Sequence, residues 1–238
     1  MKTKAVIFDK DGTVLDFDVF WMPVAINATQ QVLNALGVKD VQCERILAAI
    51  GVNNGVTSIK GSLCFGTYRD IAEDTCRVLD DHGYTCDIED VVALTVDAYH
   101  NCISAGVIKP TCDNVVDVME WLKSRGIVIV LVTSDDLTIT KECLVGLGID
   151  KYFDIVFTDD GTYPNKPDPY IIDMLCKEYD LDKSEIVMVG DTLIDMNFAK
   201  NGGIRSVGLS KTKENKEILL EKTDTVIPDI SYLWEVLQ

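Results

Sequence analysis

The sequence predicts an α/β protein: a parallel sheet covered by helices on both faces, interrupted by an all-helical insertion. Three observations carry this. From about residue 113 onward, strand-length apolar runs alternate with amphipathic stretches, the pattern of a parallel sheet with crossover helices. The apolar runs are continuous rather than alternating, as strands buried on both faces require. Between residues 17 and 110 the alternation stops, and helical stretches follow one another without a strong strand.

Taken in order, Ala5-Val6-Ile7-Phe8 is a short run rich in β-formers that ends at a Gly-containing turn, and it reads as a buried first strand. Helices are expected over residues 23–36, 41–50, 68–82 and 88–104. Residues 114–123 are amphipathic and stop near Gly126. Residues 127–132 are almost entirely β-branched and aliphatic. A helix over 137–147 is closed by Gly146 and Gly148, and 152–158 reads as a short strand. Asp168 is placed as N-cap of a helix over 169–179, with Pro169 at its first position. Residues 186–189, 206–208 and 225–227 read as strands, and 195–201, 213–222 and 229–237 as helices. The expected organisation is therefore a kernel of residues 1–16 and 111–238 holding a helical module of residues 17–110.

Composition narrows the function. The chain has 238 residues, 47% of them hydrophobic, enough for one or two cores. Its formal net charge of −17 repels phosphate backbones and anionic lipid, so neither nucleic acid nor a membrane is an expected partner. Eight cysteines form no Cys-x-x-Cys pair, and there are only two histidines. A zinc site is not expected, and reduced thiols of a cytoplasmic protein are. Six of those cysteines lie between residues 43 and 112, where they suit the role of small buried hydrophobes. The basic Met1-Lys2-Thr3-Lys4 precedes an apolar run that ends at Asp9, too short for a signal peptide.

The chemistry is concentrated at strand ends. Asp9-Lys10-Asp11-Gly12-Thr13 follows the first strand directly, at the edge where α/β sheets bind ligands. Residues two apart on extended backbone share a face, so Asp9 and Asp11 can address one site. One could attack as a nucleophile while the other moves protons, and a divalent cation would relieve their repulsion. Lys10, between them, is expected to face away and is given no role. After the strand at 127–132 come Thr133-Ser134-Asp135-Asp136. A hydroxyl of Thr133 or Ser134, with the N–H groups of the next helix, could grip a phosphate oxygen; the same string also suits a simple helix N-cap. Lys166 is pushed toward extended backbone by Pro167 and could balance the acids, or be a solvated loop lysine. Asp191 ends another strand and Asp195 follows one helical turn later. Such a carboxylate pair suits a hard cation such as Mg²⁺, and also suits an ordinary helix start.

The ordered set Asp9/Asp11, Thr133, Lys166, Asp191/Asp195 resembles the four motifs of the haloacid dehalogenase superfamily, over essentially the whole kernel. The helical insertion after the first motif is similar to that of its C1-capped members, such as phosphoglycolate phosphatases and β-phosphoglucomutases. The resemblance implies a Rossmann-like parallel-sheet kernel with an inserted α-helical cap domain that closes over the site. It implies a phosphoric monoester hydrolase that is Mg²⁺-dependent and works through an aspartyl-phosphate. Asp9 would be the nucleophile, Asp11 the general acid/base, and Thr133 and Lys166 the phosphate-binding and charge-balancing groups. The metal would be held by Asp9, Asp11 through its backbone carbonyl, and Asp191, with Asp195 in support. An acid at position 11, which the family's dehalogenases lack, favours phosphate chemistry.

Gly51-Val52-Asn53-Asn54 resembles the family's specificity loop in position, so Asn53 is a candidate substrate contact. Lys60 is another, or a solvated loop lysine. Phe17, Phe20 and Trp21 could line a pocket or pack in the module's core. The substrate expected is a small phosphorylated metabolite, and the protein a monomer. A phosphomutase or a phosphonatase would share the motifs, and a non-catalytic metal- or phosphate-binding relative is a further alternative. A response-regulator receiver also groups acids, a hydroxyl and a lysine at strand ends, but the large insertion and the Gly-Asp-x-x-x-Asp pair after the lysine disfavour it.

Overall fold

The structure is a computed structural model that describes residues 2–53 and 55–237. The chain divides into two compact units, one of Met1–Asp16 with Ile108–Gln238 and one of Phe17–Val107.

The first unit holds a six-stranded parallel sheet. Its strands are β1 (Ala5–Phe8), β4 (Val128–Val132), β5 (Ile155–Phe157), β6 (Ile186–Gly190), β7 (Arg205–Leu209) and β8 (Val226–Ile227). They lie in the order β5-β4-β1-β6-β7-β8, all parallel. Counted within the sheet this is 3-2-1-4-5-6, the doubly wound order. Its switch point lies between β1 and β6, and the crevice at their carboxyl ends is where such sheets bind ligands.

Burial explains the continuous apolar strands. Ala5, Ile7, Val130, Val132, Ile186 and Met188 face one side, where they pack with Ile171, Ile172 and Leu175 of α8 (Tyr170–Tyr179) and Phe198 and Ala199 of α9 (Leu193–Gly202). The alternate residues Val6, Phe8, Ile129, Leu131, Val187 and Val189 are equally buried, so neither face meets water. The remaining helices of this unit are α6 (Val115–Ser124), α7 (Leu137–Gly146), α10 (Lys213–Leu219) and α11 (Leu233–Val236).

Differences from the sequence reading are local. The strand expected over 152–158 is only Ile155–Phe157, because Asp150–Tyr152 winds into a 3₁₀ turn. The last helix is likewise split between a 3₁₀ turn, Ile230–Tyr232, and α11. Helix α8 starts at Tyr170 with Pro169 in the N-cap position, yet the Asp168 carboxylate still accepts the Tyr170 N–H at 2.9 Å.

The second unit contains α1 (Phe17–Ala35), α2 (Cys43–Ala49), α3 (Ser62–Phe65), α4 (Tyr68–Asp80) and α5 (Ile88–Cys102). Helix α1 begins six residues before the expected start, so Pro23 lies inside it. Its buried stripe already begins at Phe20 and Trp21 and runs on through Val24, Ala25, Ala28, Val32 and Leu33. Apolar burial at helical spacing thus outweighs the missing proline N–H. Leu33, Val38, Val41, Ile46 and Leu79 form a core. A two-stranded antiparallel hairpin, β2 (Val52–Asn53) with β3 (Val56–Thr57), interrupts the helices, a feature absent from the sequence reading. Asp18 anchors it by accepting the Thr57 hydroxyl at 2.6 Å and the Thr57 N–H at 3.2 Å. No helix among the described residues is long and apolar enough to cross a membrane.

Candidate active site

The acids and the lysine converge at the switch point. Asp9 follows β1 immediately, and its N–H donates to the Val189 carbonyl of β6 at 3.0 Å, tying the two central strand ends together. The chain then turns tightly. The Lys10 carbonyl accepts the N–H groups of Thr13, Val14 and Leu15 at 3.3, 3.0 and 3.0 Å. Gly12 makes the turn possible in two ways. Its φ of +73° is a left-handed conformation that only glycine adopts cheaply. A Cβ there would lie 2.0 Å from Asp191 Oδ2, so the backbone must be bare for the Asp191 carboxylate to lie against it.

Lys166 lies on the loop after β5, and its side chain is only 5% exposed. Its ammonium donates to Asp9 Oδ1 and to Asp195 Oδ1, each at 2.6 Å. Asp195 is wholly buried, and its other oxygen accepts the Thr192 hydroxyl at 2.7 Å and the Thr192 N–H at 3.1 Å. This is the capping box that opens α9. Gly190 makes room for it, since a Cβ there would sit 2.4 Å from Asp195 Cγ. Both oxygens of Asp195 therefore already accept hydrogen bonds, and the residue acts as an anchor for Lys166. Asp191 differs: its Oδ1 is buried and has no hydrogen-bond partner.

These charges set one another's titration. Burial pushes the Asp9 carboxyl up to about 7, against the pull of Lys166 and with the help of Asp195 and Asp11. Burial, then the Asp9 and Asp195 carboxylates, hold Asp191 well above the ordinary carboxylate range. Burial works to lower the Lys166 ammonium, but the Asp195 and Asp9 carboxylates outweigh it and keep the group above its usual value. Asp9, Asp191 and Asp195 offer one oxygen each within 4.8 Å of one another. An orphaned buried carboxylate oxygen inside such a set fits a hard cation such as Mg²⁺, because the cation would remove the repulsion that raises these groups.

On the neighbouring strand end, Thr133 is buried. Its N–H donates to the Phe157 carbonyl at 3.1 Å and its hydroxyl accepts the Asp135 N–H at 3.2 Å. Ser134 is exposed. The helix-capping role falls to Asp136, whose carboxylate accepts the Thr138 and Ile139 N–H groups at 2.7 and 3.0 Å at the start of α7.

Lys10 departs from the sequence reading. It is wholly buried, and its ammonium lies 3.0 and 2.9 Å from the two carboxylate oxygens of Asp11 and 2.7 Å from Asp135 Oδ2. The strand ends at Phe8, so strict alternation no longer governs position 10. A lysine flanked by acids just after a buried strand, with a further acid at the next strand end, was the available signal.

Asn53 and Lys60 belong to the second unit, where both are exposed. Asn54 lies outside the described residues. Lys60 borders a cavity of about 330 Å³ shared with Asp70, Glu73, Asp74 and Arg77. Phe20 and Trp21 are buried within the second unit with their rings edge to face at 5.2 Å, and Phe17 is half-buried.

Comparison with known proteins gives concordant matches. A family model described as haloacid dehalogenase-like hydrolase matches residues 3–203. A phosphoglycolate phosphatase from Vibrio parahaemolyticus serotype O3:K6 is 30% identical over 235 residues, covering 98% of this chain and 96% of its own. One from Pseudomonas fluorescens strain Pf0-1 is 27% identical over 228 residues, covering 95% and 76%. A solved structure described as a predicted phosphoglycolate phosphatase from Haemophilus somnus 129pt superposes with a TM-score of 0.75 at 19% identity, covering 100% and 99%. At that identity the likeness is one of fold.

Proposed function

The chain belongs to the haloacid dehalogenase-like hydrolases, and from that premise we propose that it is a Mg²⁺-dependent phosphatase. It hydrolyses a small phosphate monoester through an aspartyl-phosphate on Asp9. The observation that carries this reading is the buried Lys166 ammonium bonded to Asp9 beside the orphaned oxygen of Asp191, at the switch point of a parallel sheet.

Asp9, Asp191 and Asp11 would hold the metal, whose charge would stabilise the transferring phosphoryl oxygens. Lys166 fixes Asp9 through one carboxylate oxygen and leaves the other to attack phosphorus. The P–O bond to the ester oxygen breaks as the Asp9–phosphorus bond forms, and Asp11 delivers a proton to the departing oxygen. Asp11, now ionised, takes a proton from water. That water attacks the phosphoryl group, frees inorganic phosphate and restores the Asp9 carboxylate. Lys166 and the Thr133 hydroxyl hold the phosphoryl oxygens through both steps, with Ser134 and backbone N–H groups of the same loop as further donors. Asp195 does its part through Lys166, which it orients.

The names of the two relatives put 2-phosphoglycolate at the head of the substrate candidates. We place the enzyme in the cytoplasm, acting as a monomer on a soluble metabolite; the eight free cysteines support a reducing compartment. The test is phosphate release from 2-phosphoglycolate and a panel of small phosphate esters, with Mg²⁺ and with EDTA. Release that requires Mg²⁺ supports the reading, and the ranking of esters identifies the substrate. Absence of release from every ester would reject it.

A further inference from the structure

We propose that Lys10 is a positioning residue: it clamps the carboxylate of Asp11 and ties it to the Thr133–Asp135 loop, so that proton donor and phosphate grip are held in one register. The inference rests on the phosphatase reading above.

A single ammonium makes both connections. It lies within 3.0 Å of both oxygens of Asp11 and 2.7 Å from Asp135 Oδ2. Asp135 is joined in turn to Thr133, whose hydroxyl accepts its N–H at 3.2 Å. The same residue organises the backbone, because the Lys10 carbonyl accepts three successive N–H groups of the turn that presents Asp11. A wholly buried lysine is costly to desolvate and persists only where opposite charges surround it closely. Here the carboxylates of Asp11 and Asp135 supply those charges, at 2.7 to 3.0 Å from the ammonium. A buried ion pair is weak support for stability, since an apolar side chain of the same size often serves as well. Lys10 instead removes rotational freedom from the one carboxylate that must meet the departing oxygen. Proton transfer tolerates little misplacement of its donor.

Lys10→Met keeps the length and apolar stem and removes the charge. The prediction concerns leaving groups. An aryl phosphate, whose phenolate departs without a proton, needs Asp11 little in the first step; an alkyl phosphate needs it fully. In Lys10→Met, kcat/KM for an alkyl phosphate should therefore fall about 10- to 100-fold. For p-nitrophenyl phosphate it should stay within roughly threefold. The loss on the alkyl ester should appear in kcat, with KM little changed. The double variant Lys10→Met/Asp135→Asn removes one of the two carboxylate charges that the single variant strands, and should show the same selective loss with a higher Tm. An equal fall on both esters, or no fall on either, would overturn the proposal. So would failure of both variants to fold, which would make Lys10 a folding element only. Wild-type protein inactive on both esters would instead reject the parent reading, and the role of Lys10 with it.

Discussion

The two units differ in whether they bury paired charge. The sheet unit has surface ion pairs such as Lys183–Asp173 at 46% and 59%, but it also has buried ones: Lys166 with Asp9 and Asp195, and Lys10 with Asp11 and Asp135, with side-chain exposures of at most 19%. In the helical unit the ion pairs lie on the surface, as with Arg69–Glu89 at 47% and 69% and Arg77–Asp74 at 68% and 16%. Surface pairs contribute little to stability and are screened by salt. Buried ones carry a desolvation penalty that folding alone seldom justifies. The difference shows where chemistry constrains this chain: among the described residues, both partners of an ion pair are taken out of water only at the carboxyl ends of β1 and β4, the start of α9 after β6 and the loop after β5.

If that contrast is sound, substitutions in the two units should differ sharply. Asp9→Asn removes the nucleophile and should abolish phosphate release while leaving the far-UV spectrum intact; turnover at the wild-type rate would break the contrast outright. Lys166→Met should lower kcat by about 10²–10³-fold, the range for losing one preorganised donor to a developing charge. In metal-free protein it should also cost about 3–5 kcal/mol of stability by leaving Asp9 and Asp195 unpaired, a loss that denaturant titration would read directly.

A pH series sharpens the comparison from the metal side. The Asp9 carboxyl is raised from 3.8 to about 7 in the folded chain. Between those values the folded chain holds a proton that the unfolded chain has released, so raising the pH through this window lowers the stability of metal-free protein. Mg²⁺ competes with that proton. The Tm gained on adding Mg²⁺ should therefore grow as pH rises from about 5 to about 8. A gain independent of pH would show that the cation binds elsewhere.

In the helical unit the effects should be smaller. If Lys60 meets the substrate, as its place in the sequence suggests, Lys60→Ala should raise KM about fivefold with kcat unchanged, the loss of roughly 1 kcal/mol expected for one solvated charged contact. Arg69→Ala, which opens an exposed ion pair, should leave Tm and activity unaltered.

What the sequence made legible follows the same division. The central strands were readable because they are buried on both faces, so Ala5–Phe8 and Ile186–Gly190 are unbroken apolar runs. Asp9, Lys166, Asp191 and Asp195 could be grouped in advance because parallel strands bring successive strand ends to one edge. Lys10 is harder to place, because it lies two residues beyond the end of β1 at Phe8, where alternation no longer holds, and its partner Asp135 is distant in sequence. In the helical unit, strands of only two residues leave no period to detect, so the hairpin Val52–Asn53/Val56–Thr57 was missed. The proline rule hid the first turns of α1. Candidate contacts such as Asn53 and Lys60 are single exposed residues, and no local rule separates a ligand contact from a solvated side chain.

The central claim is that Asp9 carries the phosphoryl group, and rapid acid quench during turnover of 2-phosphoglycolate, followed by peptide mass spectrometry, tests it most directly. The account predicts one phosphoryl group on the peptide containing Asp9, absent from Asp9→Asn and lost when the quench is delayed until substrate is exhausted. Turnover with no phosphorylated peptide, or with the phosphoryl group on another residue, would contradict it.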